Sequence, residues 1–236
     1  MPEGISHGIS DGATLSVFGD SFRRFLRRVL GQKIGVPALE AGSGVPEFRT
    51  SSGLREFWKG MQTRSGLQIL DLGSASQANV TFITGLGHKL YTEDLLRAVW
   101  TPSSPPDGGA ETQSGDEEFF RENLIHADGQ FDGILCWDLF DFLADPLVKP
   151  LLVRLHRYLK PGGTVLCFFH TGRAGEEVPL YQYRIRTDAS LQLTRQGTKK
   201  LHRHFNNRSI ETLFKNFASL KFYLARDNLR EVISVR

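Results

Sequence analysis

The residues best suited to chemistry begin in the stretch LQILDLGSASQ, 67–77, where an apolar strand runs into Gly73 and then into the start of a helix. A glycine lets the backbone approach a ligand closely, and the free N–H groups of a helix N-terminus favour an anion or a carboxylate. Asp94 follows Gly73 by about twenty residues, the offset at which an acid commonly holds the two ribose hydroxyls of an adenosine. A glycine turn alone is equally well explained by a backbone that needs φ > 0. Paired with an acid at that offset, it points to an adenosine-bearing ligand. The glycine pattern is incomplete, because Ala75 and Gln77 stand where further glycines are usual. Ala75 costs around 1 kcal/mol or more if its backbone must take φ > 0, and little otherwise. Gln77 begins the helix and needs no unusual dihedral.

These residues need a sheet to hold them. Residues 67–72 form a short apolar strand, and SQANVTFITGLGH reads as a helix closed by Gly85 and Gly87. KLYTEDLL is a second strand ending in Glu93 and Asp94. EFFRENL reads as a third strand, with a helical turn as the alternative. FDGILCWDLF is nearly continuous in apolar residues, as a strand buried on both faces should be. DPLVKPLLVRLHRYL follows as a helix with Leu152, Leu155 and Leu159 inward, then the breaker KPGG and the strand TVLCFFHT. NRSIETLFKNF carries Ile210, Leu213, Phe214 and Phe217 on one helical face, and KFYLARDN and REVISVR read as strands joined by a tight Asp-Asn turn. Alternating β and α elements with a terminal hairpin predict a doubly wound α/β sheet. TSSGLREFWKGMQTR, just before the first of these strands, reads as a helix with Leu54, Phe57, Trp58 and Met61 on one side. The segment TPSSPPDGGAETQSGDEE, about 101–118, reads as a mobile insertion within the domain.

Residues 1–50 read as an N-terminal extension to a domain of 51–236. Phe18, Phe22, Phe25, Leu26, Val29 and Leu30 make one helical stripe, with Arg23, Arg24, Arg27 and Arg28 on the other face. That helix, around 20–31, suits a docked element with a solvated basic face, or contact with a partner or a membrane surface. GVPALEAGSGVPEF reads as a linker. The chain is 40% hydrophobic and 23% charged over 236 residues, an ordinary globular balance. No apolar run approaches the roughly 20 residues of a membrane span, and the N-terminus lacks the pattern of a signal peptide. The two cysteines, Cys136 and Cys167, sit in apolar runs and read as buried free thiols of a cytoplasmic protein. A net charge of +3 and a pI of about 8.9 do not by themselves argue for nucleic acid.

Four pieces in order make the chain resemble a class I S-adenosylmethionine-dependent methyltransferase: ILDLGSAS, LYTEDLL, FDGILCWDLFDFL and LKPGGTVLCFF. The resemblance covers about residues 54–236. It implies a seven-stranded, mostly parallel sheet with an antiparallel terminal strand in a three-layer α-β-α sandwich, and S-adenosylmethionine as cofactor. It also implies roles. Asp71 would sit under the methionine amino group, with Gly73, Ser74 and Ala75 along the methionine tail. Asp94, or Glu93 if the register is off by one, would take the ribose hydroxyls. Asn123 would bind the adenine amine, Leu124 would pack on the ring, and Trp137 and Asp138 would face the sulfonium and the substrate.

Methyl transfer from a sulfonium is an in-line displacement in which alignment supplies much of the rate. A general base is needed only if the acceptor must lose a proton. Asp138 and His170, at the carboxyl ends of strands beside the expected site, are the two candidates. Each also has a plain reading, Asp138 as a helix cap and His170 as an ordinary strand-end residue. The cluster His202, Arg203 and His204, with Lys199, Lys200 and Arg208, suits an acidic acceptor or a solvated basic loop anchored by Phe205. Two histidines at i, i+2 lack further ligands at metal spacing, so no metal is expected. The acceptor is not encoded in any motif; a small molecule is slightly favoured, and residues 171–205 with the N-terminal region are the expected lid. Two alternatives compete. One is a catalytically inactive member of the fold that binds partners. The other is a dinucleotide-dependent oxidoreductase, although G-x-G-x-x-G is absent.

Overall fold

The computed structural model describes residues 45–100, 119–224 and 227–236. The basic helix around 20–31, most of the predicted linker and the insertion 101–118 lie outside the described residues. The elements run β1 (Glu47–Thr50), α1 (Ser52–Lys59), β2 (Gln68–Asp71), α2 (Gln77–Gly85), β3 (Lys89–Thr92), α3 (Leu95–Trp100), β4 (Phe131–Trp137), α4 (Leu139–Phe142), α5 (Asp145–Tyr158), β5 (Leu159–His170), β6 (Glu177–Thr187), β7 (Ser190–Lys200), α6 (Asn207–Leu213), β8 (Ser219–Leu224) and β9 (Leu229–Val235).

The main sheet has the order β3-β2-β4-β5-β9-β8. β3, β2, β4 and β5 are parallel neighbours, and β9 runs antiparallel between β5 and β8. The doubly wound α/β expectation therefore holds, including the reversed last strand. The strand count is six among the described residues, not seven. Residues 119–123, read as part of a third strand, form a helical turn instead. Phe120 and Leu124, spaced i, i+4, both enter the core there, which is helical periodicity.

The three layers follow from strand alternation. Leu70, Ile134, Cys136, Val165, Cys167, Phe169 and Val232 point to one face, where α5 and α6 supply Leu151, Leu155 and Ile210. Ile69, Leu135, Leu166, Phe168 and Ile233 point to the other, where α1 and α2 supply Leu54, Phe57, Trp58 and Ile83. Cys136 and Cys167 are buried free thiols, as expected, and burial raises the Cys167 thiol well above its ordinary range. KPGG does not precede β5 but lies within it. Gly162 takes φ +76 where the pairing with β4 slips between Leu159 and Thr164.

The segment predicted as lid is itself a sheet. β6 and β7 form a long antiparallel hairpin, and β1 joins it in the order β1-β7-β6. Glu47 and Phe48, read as the end of a linker, already belong to β1. The hairpin contributes Tyr183, Ile185, Leu191 and Leu193 to the same core as α1 and α2. It thus covers the sheet face on which Asp71 and Trp137 lie.

Candidate cofactor crevice

The chain passes from β2 to β3 on one side and then to β4 on the other, so strand order reverses between β2 and β4. The crevice beyond their carboxyl ends is the expected ligand position in such a sheet. Asp71 ends β2, Trp137 ends β4, and the register pairs Asp71 with Leu135. Alternation then puts the side chains of Asp71 and Trp137 on one face.

Asp71 is buried, at 1% exposure. Its Oδ1 accepts the Trp137 indole N–H at 2.6 Å and the Gly73 N–H at 3.0 Å, and its Oδ2 accepts from Asn79 Nδ2 at 2.8 Å. All three donors are uncharged. Burial pushes the Asp71 carboxyl up, against those three bonds, and the charge of Asp94 adds to the push. The Trp137 ring lies directly on the glycine turn. A β-carbon on residue 73 would stand 2.7 Å from Trp137 Cδ1 and 2.8 Å from Nε1. Gly73 is not among the positive-φ glycines, so it is required by close approach and not by its dihedral. The approaching group is the protein's own indole. Ala75 is exposed and not at positive φ, so the missing glycine costs little there, and Ser74 is exposed beside it. Ser76 caps α2 without a side-chain cap bond, and its buried Oγ has no protein partner.

Trp137 takes φ +51, unusual for a bulky residue and worth about 1–2 kcal/mol of strain. Its ring stacks on Tyr183 of β6, with centroids 5.0 Å apart and planes 3° from parallel. The Tyr183 hydroxyl donates to Asp138 Oδ2 at 2.8 Å, and His170 Nε2 lies 3.3 Å from the same oxygen. Asp138 occupies the cap position of α4 but makes no side-chain cap bond; its carboxylate serves Tyr183 and His170 instead. Burial first, then the Asp138 charge, raises the Tyr183 hydroxyl well above its ordinary range. The His170 N–H donates to Asp141 Oδ2 at 2.6 Å. Asp141 is buried with Oδ1 unpartnered, and burial pushes its carboxyl well above the ordinary carboxylate range. Asn79 ties the hairpin to α2, because Nδ2 donates to Tyr183 O at 3.2 Å and Oδ1 accepts from the Ile185 N–H at 2.8 Å.

The other predicted residues divide. Asp94 Oδ1 accepts the Arg97 N–H and so starts α3, while Glu93 lies 3.3 Å from His126 Nε2. Asn123 sits in the helical turn and donates to Phe119 O. Leu124 is buried at 1% exposure among core side chains. Arg203, predicted as part of a basic loop, binds Asp145 and the carbonyls of Phe140 and Leu143, and Phe205 anchors the segment. No group of three or more metal-ligating side chains occurs among the described residues, and none of their helices is long and apolar enough to cross a membrane. A groove of about 420 Å³ near Phe57, Met61 and Arg64 lies at the start of β4, away from the crevice. Its Asp132 is already held by the Gln68 N–H and Lys160.

Sequence reasoning missed Asn79 and Tyr183. The alternation in VPLYQYRI, 178–185, was the available signal for a strand carrying Tyr183. Nothing local marks Asn79. As arranged, the residues do not admit the methionine end of S-adenosylmethionine: the Trp137 ring fills the space over Gly73, and the chain itself takes both accepting directions of Asp71 Oδ1.

No protein-family model matches the chain, and none of the curated proteins matches it. Among solved structures it is similar to 1,6-didemethyltoxoflavin-N1-methyltransferase of Burkholderia thailandensis, at 12% identity and TM-score 0.41, over 96% of this chain and 92% of that one. It is also similar to an S-adenosylmethionine-dependent methyltransferase of Mesorhizobium loti, at 12% identity and TM-score 0.41, over 73% and 92%. A third is a methyltransferase of Methanosarcina mazei, at 15% identity and TM-score 0.39, over 73% and 93%. These likenesses are loose, and the fold assignment rests on the chain's own strand order, with β4 beside β2 and β9 reversed.

Proposed function

We propose that the crevice at the ends of β2 and β4 binds S-adenosylmethionine and that the domain transfers its methyl group to an acceptor, a small molecule being favoured. One observation carries this reading. Strand reversal at β2/β4 gathers Asp71 and Gly73, and the acids after β3, on the crevice where an α/β sheet binds its ligand. Asp138 and His170 stand beside it as a buried pair at 3.3 Å, suited to hold a proton from the acceptor. Asp94 or Glu93 is the acid for the ribose, with Ser74 and Ala75 along the turn. Asn123 and Leu124 stay as the adenine contacts only if the segment 119–124 rearranges. Calorimetric titration with S-adenosylmethionine and S-adenosylhomocysteine, with NAD as control, tests the reading. Micromolar binding of either sulfur ligand is expected; binding of NAD in their place favours an oxidoreductase and overturns it.

A second reading has its own support. The indole over Gly73 suits a domain that keeps the fold without catalysis and uses its surface for partners. No binding of any ligand at millimolar concentration, by folded protein, selects it.

A further inference from the structure

We propose that Trp137 is a built-in occupant of the cradle formed by Asp71 and Gly73, which a ligand bearing an ammonium group must displace, and Tyr183 with it, in order to bind. This rests on the reading of the crevice as a cofactor site.

The geometry of the cradle suits a charged ligand better than its present occupant. Asp71 is a buried carboxylate whose donors, Trp137, Gly73 and Asn79, are all neutral. A buried carboxylate ordinarily has a cationic partner. The indole N–H fills the bonding direction on Oδ1 without supplying the charge. An ammonium group would supply both. The ring also covers Gly73, so the turn has no room for a ligand until the ring leaves.

The occupant is held under tension and by a separable part. Trp137 sits at φ +51, a conformation its side chain disfavours, at the end of a buried strand whose pairing with β5 shifts register between Leu135 and Trp137. Its stacking partner Tyr183 belongs to the hairpin and not to the main sheet. Side-chain bonds tie β6 to the crevice: Tyr183 to Asp138, Asn79 to the backbone of residues 183 and 185, and Gln182 to Ala75 O. Lifting this part of the hairpin breaks those side-chain bonds and uncovers Tyr183 and Ile185 from the core, but leaves the main sheet's strand ladder intact. The device is an autoinhibitory contact, in which Asp71 holds the chain's own indole.

Trp137→Gly tests it, because glycine accepts φ > 0 and leaves the ring's space open. S-adenosylhomocysteine and adenosine are titrated calorimetrically into wild type and variant, with thermal melts to show that both are folded. S-adenosylhomocysteine is expected to bind Trp137→Gly at least about tenfold more tightly than wild type, the factor set by a site open about a tenth of the time. Adenosine, which lacks the amino-acid end, is expected to show no such gain. Equal affinities for S-adenosylhomocysteine, or weaker binding by the variant, overturn the proposal and leave the cofactor reading standing. An equal gain for adenosine also overturns it, because the obstruction then is not at Asp71. No binding by either protein overturns the cofactor reading and the proposal together. If Trp137→Gly does not fold, Trp137→Phe keeps the apolar fill and removes the N–H. Tighter binding than wild type is then expected, and affinity equal to wild type overturns the proposal.

Discussion

Asp71 and Glu231 are two buried carboxylates built to one plan and completed differently. Each accepts a glycine N–H and a side-chain donor from the same turn or helix start: Gly73 and Asn79 for Asp71, Gly53 and Ser51 for Glu231. Each glycine is there because a β-carbon would strike its partner, the Trp137 ring at 2.7 Å or Glu231 Oε2 at 2.8 Å. The third donor separates them. Glu231 takes Arg49 at 2.5 Å, a permanent cation that ties β1 to β9. Asp71 takes the neutral indole of Trp137. A carboxylate with its own cation is a finished structural joint. One without a cation is unfinished in charge, and it lies at the strand-reversal crevice.

The largest expected effect is at the finished joint. Glu231→Ala strands Arg49, whose remaining partner is the partly exposed Asp227, and should cost about 3 kcal/mol or more by urea unfolding. The two glycines come next. Gly53→Ala and Gly73→Ala should each cost about 1–3 kcal/mol through overpacking. The loss at residue 73 should largely disappear on a Trp137→Gly background, while the loss at 53 should not. A double-mutant cycle with no coupling between 73 and 137 breaks the comparison. Asp71→Asn should cost about 1–3 kcal/mol: no countercharge is stranded, but the amide NH2 cannot accept the bond from Asn79 Nδ2 and leaves that buried donor unpaired.

Asp141 sharpens the contrast through pH. It is buried, one oxygen is unpartnered, and its carboxyl is pushed well above the ordinary range. The folded state then holds the proton more tightly than the unfolded state. Stability should fall as pH rises from the ordinary carboxylate range towards the raised value. Asp141→Asn should flatten that slope, because an amide carries no charge and its oxygen can still accept the His170 N–H. Melting temperature against pH for the two proteins reads this directly. The smallest effect is at Ala75. Its φ is not positive, so Ala75→Gly should destabilise by about 1 kcal/mol or less through the unfolded chain and add no affinity for S-adenosylhomocysteine.

Much of the fold was legible because its cues are local. Apolar runs marked β2, β4 and β5, helical spacing marked α1, α5 and α6, and the terminal strand pair came out as β8 and β9. The expected lid, 171–205, holds the hairpin of β6 and β7, and β1 reads as linker because its partner strand lies far away in the sequence. Residues 119–123 were ambiguous, since Phe119 and Phe120 suit a strand or a helical turn, and packing of Phe120 and Leu124 decided for the turn.

For the site, the sequence alone determined that Asp71 and Gly73 follow one buried strand and that Asp138 and His170 end two more. Period and strand order suffice to bring such residues to one end of a sheet. Only the tertiary structure decided what Gly73 accommodates. That depends on Trp137 and Asn79 meeting at the Asp71 carboxylate and on Tyr183 stacking over the indole, three separate elements brought together by side-chain packing that no local pattern encodes.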